Sequence, residues 1–67
     1  MKYDFEHMTR SEIEAMIEQH VLNQRNREIL KRRLLDGIRF EPLSEEFNLS
    51  VRQTKSIVYK AQEKLFK

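Results

Sequence analysis

Apolar residues recur along this chain at three- and four-residue spacing, separated by short polar breaks. Ile13, Met16, Ile17 and Val21 form one such stripe, and Ile29, Leu30 and Leu34 a second. Leu43 and Phe47 stand four apart, and Thr54, Ile57, Val58, Ala61 and Leu65 form a longer run. This is the period of helices that bury one face. Thr9-Arg10-Ser11-Glu12 reads as a capping box, so a first helix is expected over about 10 to 22. Asn23 caps a second helix, which Asp36-Gly37 ends, with Gly37 in the left-handed conformation. A short third helix is expected over about 40 to 47, with Pro42 tolerated in its first turn. Asn48-Leu49 makes the next turn, because Asn accepts positive φ better than other non-glycine residues. Ser50-Val51-Arg52-Gln53 is a second capping box and opens a fourth helix over about 51 to 66. Residues 1–8 lack a period and read as an arm, with Phe5 and Met8 available to pack on the core.

The expected fold is all-α: a compact four-helix bundle, a single domain over 9–67, with a C-terminal helix-turn-helix over about 40–66. Gly37 and Pro42 are the single glycine and proline, both in one stretch, which leaves little turn chemistry for strands. A 67-residue chain has no room for a core and an ordinary substrate cleft, so function belongs on a surface facing a larger partner. Enzyme activity, a catalytic residue and a small-molecule substrate are not expected. No apolar run follows Lys2, and no stretch approaches the ~18 apolar residues of a membrane span. With cysteine absent, a cytoplasmic protein without disulfides or thiolate metal sites is expected.

Charge is distributed unevenly. Residues 1–22 carry two basic and five acidic side chains; residues 23–67 carry eleven basic and six acidic ones, within a net charge of +2. The basic portion suits a polyanion, or else it is a solvated helical surface. His7 and His20 lack the spaced partners of a zinc site, so neither metal nor cofactor is expected. Glu12, Glu14 and Glu18 read as an exposed helix face.

The segment from Phe40 to Lys60 carries the chemistry. A short helix, a tight turn and a longer capped helix make the helix-turn-helix arrangement, whose second helix enters the DNA major groove. Ser44 supplies a small residue at the helix crossing, Phe47 closes the first helix on the second, and Leu49 plugs the turn. Thr54 and Ile57 face inward.

Asn26-Arg27-Glu28-Ile29-Leu30, Asp36-Gly37-Ile38, Leu43-Ser44-Glu45-Glu46-Phe47-Asn48-Leu49-Ser50 and Lys64-Leu65 resemble region 4 of bacterial sigma-70 family factors. The resemblance covers roughly 22 to 67, and the chain is similar in the same way to LuxR-type output domains. Several positions depart from the pattern: Ser44 replaces a small apolar residue, Asn48 a glycine, and Thr54 a valine or isoleucine. Val51 stands where sigma factors often place arginine, and Pro42 where an acid is usual. The sigma regions that bind core polymerase and melt DNA have no counterpart here, which points away from a complete sigma factor.

The resemblance implies a sequence-specific duplex DNA-binding protein, a transcriptional regulator of the kind found in phages and mobile elements. It implies base-edge contacts from Val51, Arg52, Lys55 and Ser56. Arg52 suits the guanine fork, Lys55 guanine acceptors or phosphate, and Val51 a thymine methyl. Ser50, Gln53, Arg39, Tyr59, Lys60, Arg25, Arg27, Arg32 and Arg33 are the phosphate-binding candidates, which fix register rather than sequence. LuxR-type domains pair through their last helix, which makes Tyr59, Glu63 and Phe66 candidates for a homodimer contact. The alternative is a protein-interaction module that binds RNA polymerase or a sigma partner through the acidic first helix. A packaging or recombination accessory role is a third reading.

Overall fold

The computed structural model describes residues 5–66, apart from the side chain of Phe5. A 3-10 turn at Phe5–His7 leads into four helices: α1, Arg10–His20; α2, Gln24–Leu34; α3, Phe40–Glu46; and α4, Val51–Leu65. No strand forms among the described residues. The radius of gyration is 11.3 Å, close to the ~11 Å expected of a folded domain of this length.

Helix starts follow local chemistry. At α1 the Thr9 hydroxyl accepts from the Glu12 amide at 3.2 Å, and the Glu12 carboxylate accepts from the Thr9 amide at 2.9 Å. Asn23 caps α2 by accepting from the Asn26 amide at 3.1 Å. At α4 the Ser50 hydroxyl accepts from the Gln53 amide at 3.1 Å while Gln53 Oε1 accepts from the Ser50 amide. Each cap satisfies amides that a helix leaves without partners. α3 has no side-chain cap; burial of Phe40, Leu43 and Ser44 holds its seven residues instead.

The core comprises Ile13, Met16 and Ile17 of α1, Ile29 and Leu30 of α2, Phe40 and Leu43 of α3, and Val58 and Leu65 of α4. Met8, from the segment before α1, packs against it. Each of the fully buried aliphatic side chains contributes about 1.5–3 kcal/mol relative to exposure. In α4 the fully buried members are Thr54 and Val58, with Ile57 and Ala61 half-buried beside them.

The end of α1 differs from the sequence expectation, whereas α2 closes before Gly37 as expected. α1 stops at His20, and Val21 is already extended, with φ −108° and ψ 107°. The reason is non-local: the Arg27 guanidinium, from α2, donates to the Val21 carbonyl and, at 3.0 Å, to the Glu18 carbonyl. It thereby caps α1's free carbonyls and places a cation at the negative end of the helix dipole. Leu22 beyond this cap is 87% exposed. α2 ends at Leu34; Gly37 takes φ +67°, and the Ile38 amide folds back to the Arg32 carbonyl at 3.2 Å.

The turn between α3 and α4 rests on Asn48, whose φ is +56°. Its amide donates to the Glu45 carbonyl, and the Leu49 amide donates to the Ser44 carbonyl at 2.9 Å. That pair of bonds is the Schellman arrangement, which ends a helix and reverses the chain within two residues. α3 and α4 then cross at two small polar residues. Ser44 and Thr54, 2% and 0% exposed, place their hydroxyl oxygens 2.9 Å apart.

Candidate nucleic-acid interface

The buried stripe of α4 leaves the opposite side of the helix in solvent. Arg52, Ser56, Tyr59 and Glu63 succeed one another at three- and four-residue spacing along that outer side. Lys55 lies on one flank; Gln53, Lys60 and Lys64 lie on the other. Arg52, Lys55, Tyr59 and Lys60 are exposed, Ser56 and Val51 half-buried, and Val51 also packs on the core. Capping commits the Ser50 hydroxyl and the Gln53 carbonyl oxygen, leaving the Gln53 side-chain NH2 for an external acceptor.

The ion pairs among the described residues lie elsewhere. Arg10 meets Glu14 and Asp36, Lys31 meets Glu18 at 2.8 Å, and Arg32 meets Glu46 at 2.9 Å. Among the described residues, no cation of α4 is in an ion pair, and Arg39 also has none. An unpaired cation on a helix surface keeps its full charge for a partner, and a phosphate polymer is the partner that gains most from several together.

The α2 arginines, grouped together as phosphate candidates from sequence, separate into different environments. Arg27 is spent capping α1. Arg32 ties α2 to α3 through Glu46 and lies over the Phe47 ring, with its guanidinium carbon 5.8 Å from the centroid. Its Nε is buried with no hydrogen-bond partner among the described residues. Arg25 is exposed and contacts the Asn26 side chain beside it. Arg33 donates to the Ile38 carbonyl at 3.1 Å and stacks on the Phe40 ring at 4.3 Å. Arg27 and Arg32 therefore tie α2 to a neighbouring helix through hydrogen bonds or an ion pair, whereas Arg25 bonds only to the residue beside it and Arg33 to one nearby carbonyl.

Phe40 is the residue that pattern reasoning passed over. Its ring receives Arg33 from α2 and Lys55 from α4, whose Nζ is 5.7 Å from the centroid, and meets Tyr59 edge-on at 5.6 Å. The local signal was an aromatic residue directly after Arg39. The partners themselves are 7 to 19 residues away in sequence, so spacing gave no hint of them.

The acids of α1 are engaged as well. Glu12 belongs to its capping box, and the Thr9 amide and hydroxyl hold its carboxyl below the ordinary value. Glu18 is lowered by the hydrogen bond from Lys31, whose own ammonium is raised in return. Glu14 pairs with Arg10. A shallow groove lined by Met8, Glu12, Ala15, Met16 and Gln19 runs beside this helix. Glu41 and Glu45 are exposed on α3, so the outward face of that helix is acidic.

Among the described residues no helix is long and apolar enough to cross a membrane. No group of three or more His, Asp or Glu there is placed to hold a metal ion. Comparison with protein-family models, with curated proteins and with solved structures finds no match.

Proposed function

We propose that this chain binds duplex DNA in a sequence-specific way and acts in transcription regulation, as a helix-turn-helix protein of the sigma-70 region 4-like type. In this reading α3, the Asn48 turn and α4 form the helix-turn-helix, and α4 enters the major groove. The observation that carries it is the outward side of α4, where Arg52, Lys55 and Lys60 are exposed and have no carboxylate partner among the described residues. Arg52 stands near the capped N-terminus of α4, where groove-reading helices place their base contacts. Arg39 and Lys60 flank it and hold the backbone. Phosphate neutralisation supplies most of the affinity, and Arg52 with its neighbours supplies discrimination. A single module has a small footprint, so a second copy joined through Glu63 and Phe66, or RNA polymerase, completes a high-specificity complex.

The reading is tested by selecting binders from a randomised duplex library at two salt concentrations and sequencing them. A short enriched motif, with affinity falling steeply as salt rises, is expected. Weak binding without enrichment would overturn it.

A protein-interaction module, binding RNA polymerase or a sigma partner through α1, is the second reading. Exposed Leu22 and the groove along Met8, Ala15 and Met16 favour it. Its original support, the acidic side chains of α1, weakens because Glu12, Glu14 and Glu18 each have an internal partner.

A further inference from the structure

Two cations gather on one buried ring. Phe40 is 9% exposed, and its ring takes the Arg33 guanidinium at 4.3 Å and the Lys55 ammonium at 5.7 Å. Neither cation has an ion pair among the described residues. Those two distances put the charges no more than about 10 Å apart, comparable with the Debye length of about 8 Å at physiological salt, so they repel each other incompletely screened. The ring's negative face offsets part of that repulsion and fixes where both charges sit. Arg33 is further pinned by its bond to the Ile38 carbonyl, which uses one of its five N–H donors and leaves the rest to point elsewhere. Tyr59 borders the same ring, half-exposed, and its hydroxyl makes no hydrogen bond to a described residue.

Two cations and a hydroxyl with no partner among the described residues, gathered from α2 and α4 around one aromatic ring, have the chemistry that a single tetrahedral oxyanion requires. We propose that Arg33, Lys55 and Tyr59 form one phosphate-binding site, with Phe40 as the positioning residue, that grips a backbone phosphodiester on the α2 side of α4. The site rests on the duplex-binding reading and sharpens it. Lys55 then serves the backbone rather than a base edge, and base reading falls to Arg52, Ser56 and Val51. The site also explains how Arg33, at the end of a helix remote in sequence, shares in the interface while Arg27 and Arg32 do not.

The test compares wild type with R33Q, K55Q, the double variant and F40L by fluorescence anisotropy on mixed-sequence 20-bp duplexes across a salt series. Helicity is checked in each variant. If both cations hold one phosphate, the double variant flattens the slope of log K against log salt by about 0.9, the value for one phosphate, instead of about twice that. F40L is expected to reproduce the double variant, and K55Q to leave the selected motif unchanged. A slope loss in the double variant equal to two independent phosphates, or a changed motif in K55Q, overturns the site while leaving duplex binding intact. Titration with inorganic phosphate, read at the Arg33 Nε–H and Tyr59 ring resonances, reports on the site without DNA. Shifts at both, lost in R33Q/K55Q, support it. If wild type binds no duplex, such shifts retain the oxyanion site and reject the DNA reading, whereas their absence rejects both.

Discussion

Replacing the two buried hydroxyls where α3 crosses α4 gives a quantitative test of how this fold holds α4 in place. Ser44 Oγ lies 2.5 Å from the Phe40 carbonyl and 2.9 Å from Thr54 Oγ1, which lies 3.0 Å from the Ser50 carbonyl. Two hydroxyl protons therefore serve three contacts: Ser44 shares its proton between the Phe40 carbonyl and Thr54 Oγ1, and Thr54 donates to the Ser50 carbonyl. In Ser44→Ala, Thr54 keeps its donation to Ser50 and loses its partner hydroxyl. In Thr54→Val, Ser44 keeps its donation to Phe40, and the Ser50 carbonyl keeps the Thr54 amide at 3.0 Å. Each single change thus removes one partner of a buried pair, at a cost of about 1 kcal/mol. Removing both hydroxyls leaves an apolar contact of nearly the same shape and no stranded polar group, so the double variant is expected within about 1 kcal/mol of wild type. The coupling energy is then about 1 kcal/mol, within the range for residues in direct contact. Urea denaturation followed by far-UV circular dichroism on the four proteins measures it. For a chain this small each kcal/mol also moves Tm by roughly 4–8 °C. A double variant that loses the full sum of the singles would refute the reasoning, because the hydroxyls would then act independently.

Other outcomes follow from the same structure. Arg52→Ala should relax base preference and cost about 1–3 kcal/mol on a selected site, whereas Lys60→Ala should weaken all sequences alike and flatten the salt slope by about one; filter binding to selected and scrambled duplexes separates the two. Gly37→Ala meets no atom within 4 Å but keeps φ near +67°, so it should lose about 1–2 kcal/mol through backbone strain alone, read as a lowered urea midpoint. The Glu12 and Glu18 carboxyls are held below the ordinary 4.5 by Thr9 and Lys31. Their contribution is therefore present above that pH and disappears as pH falls through the depressed folded values. Glu18→Gln should shrink the acid-induced drop in stability. Lys31 is raised above 10.5 by Glu18, so its contribution is present below that pH and is lost as pH rises through the higher folded value. A pH series of denaturation midpoints for wild type and Glu18→Gln checks both limbs.

Where helices begin, where the chain turns and which faces are apolar could be read from the residues, because those are local matters. Thr9 with Glu12 and Ser50 with Gln53 form their boxes within one helical turn. Gly37 and Asn48 occupy the positive-φ positions that their chemistry suggested. The core stripes of α1, α2 and α4 follow from periodicity alone. Sequence also marked the outer face of α4 as basic. What it did not contain was the division of labour among like charges. Arg25, Arg27, Arg32 and Arg33 are interchangeable on a list, yet they face different neighbours once α2 packs. Arg27 closes the end of α1, and this is why that helix stops at His20 instead of reaching residue 22. Arg32 finds Glu46, and Arg33 finds Phe40. The same holds for Ser44 and Thr54, two polar residues at apolar positions in sequence, which become a satisfied pair only when α3 crosses α4. Capping, turns and amphipathicity depend on residues within a few positions of each other. Ion pairs, ring contacts and buried hydroxyl pairs join residues up to 26 positions apart, so only the packed chain decides which charges support the fold and which remain for a partner.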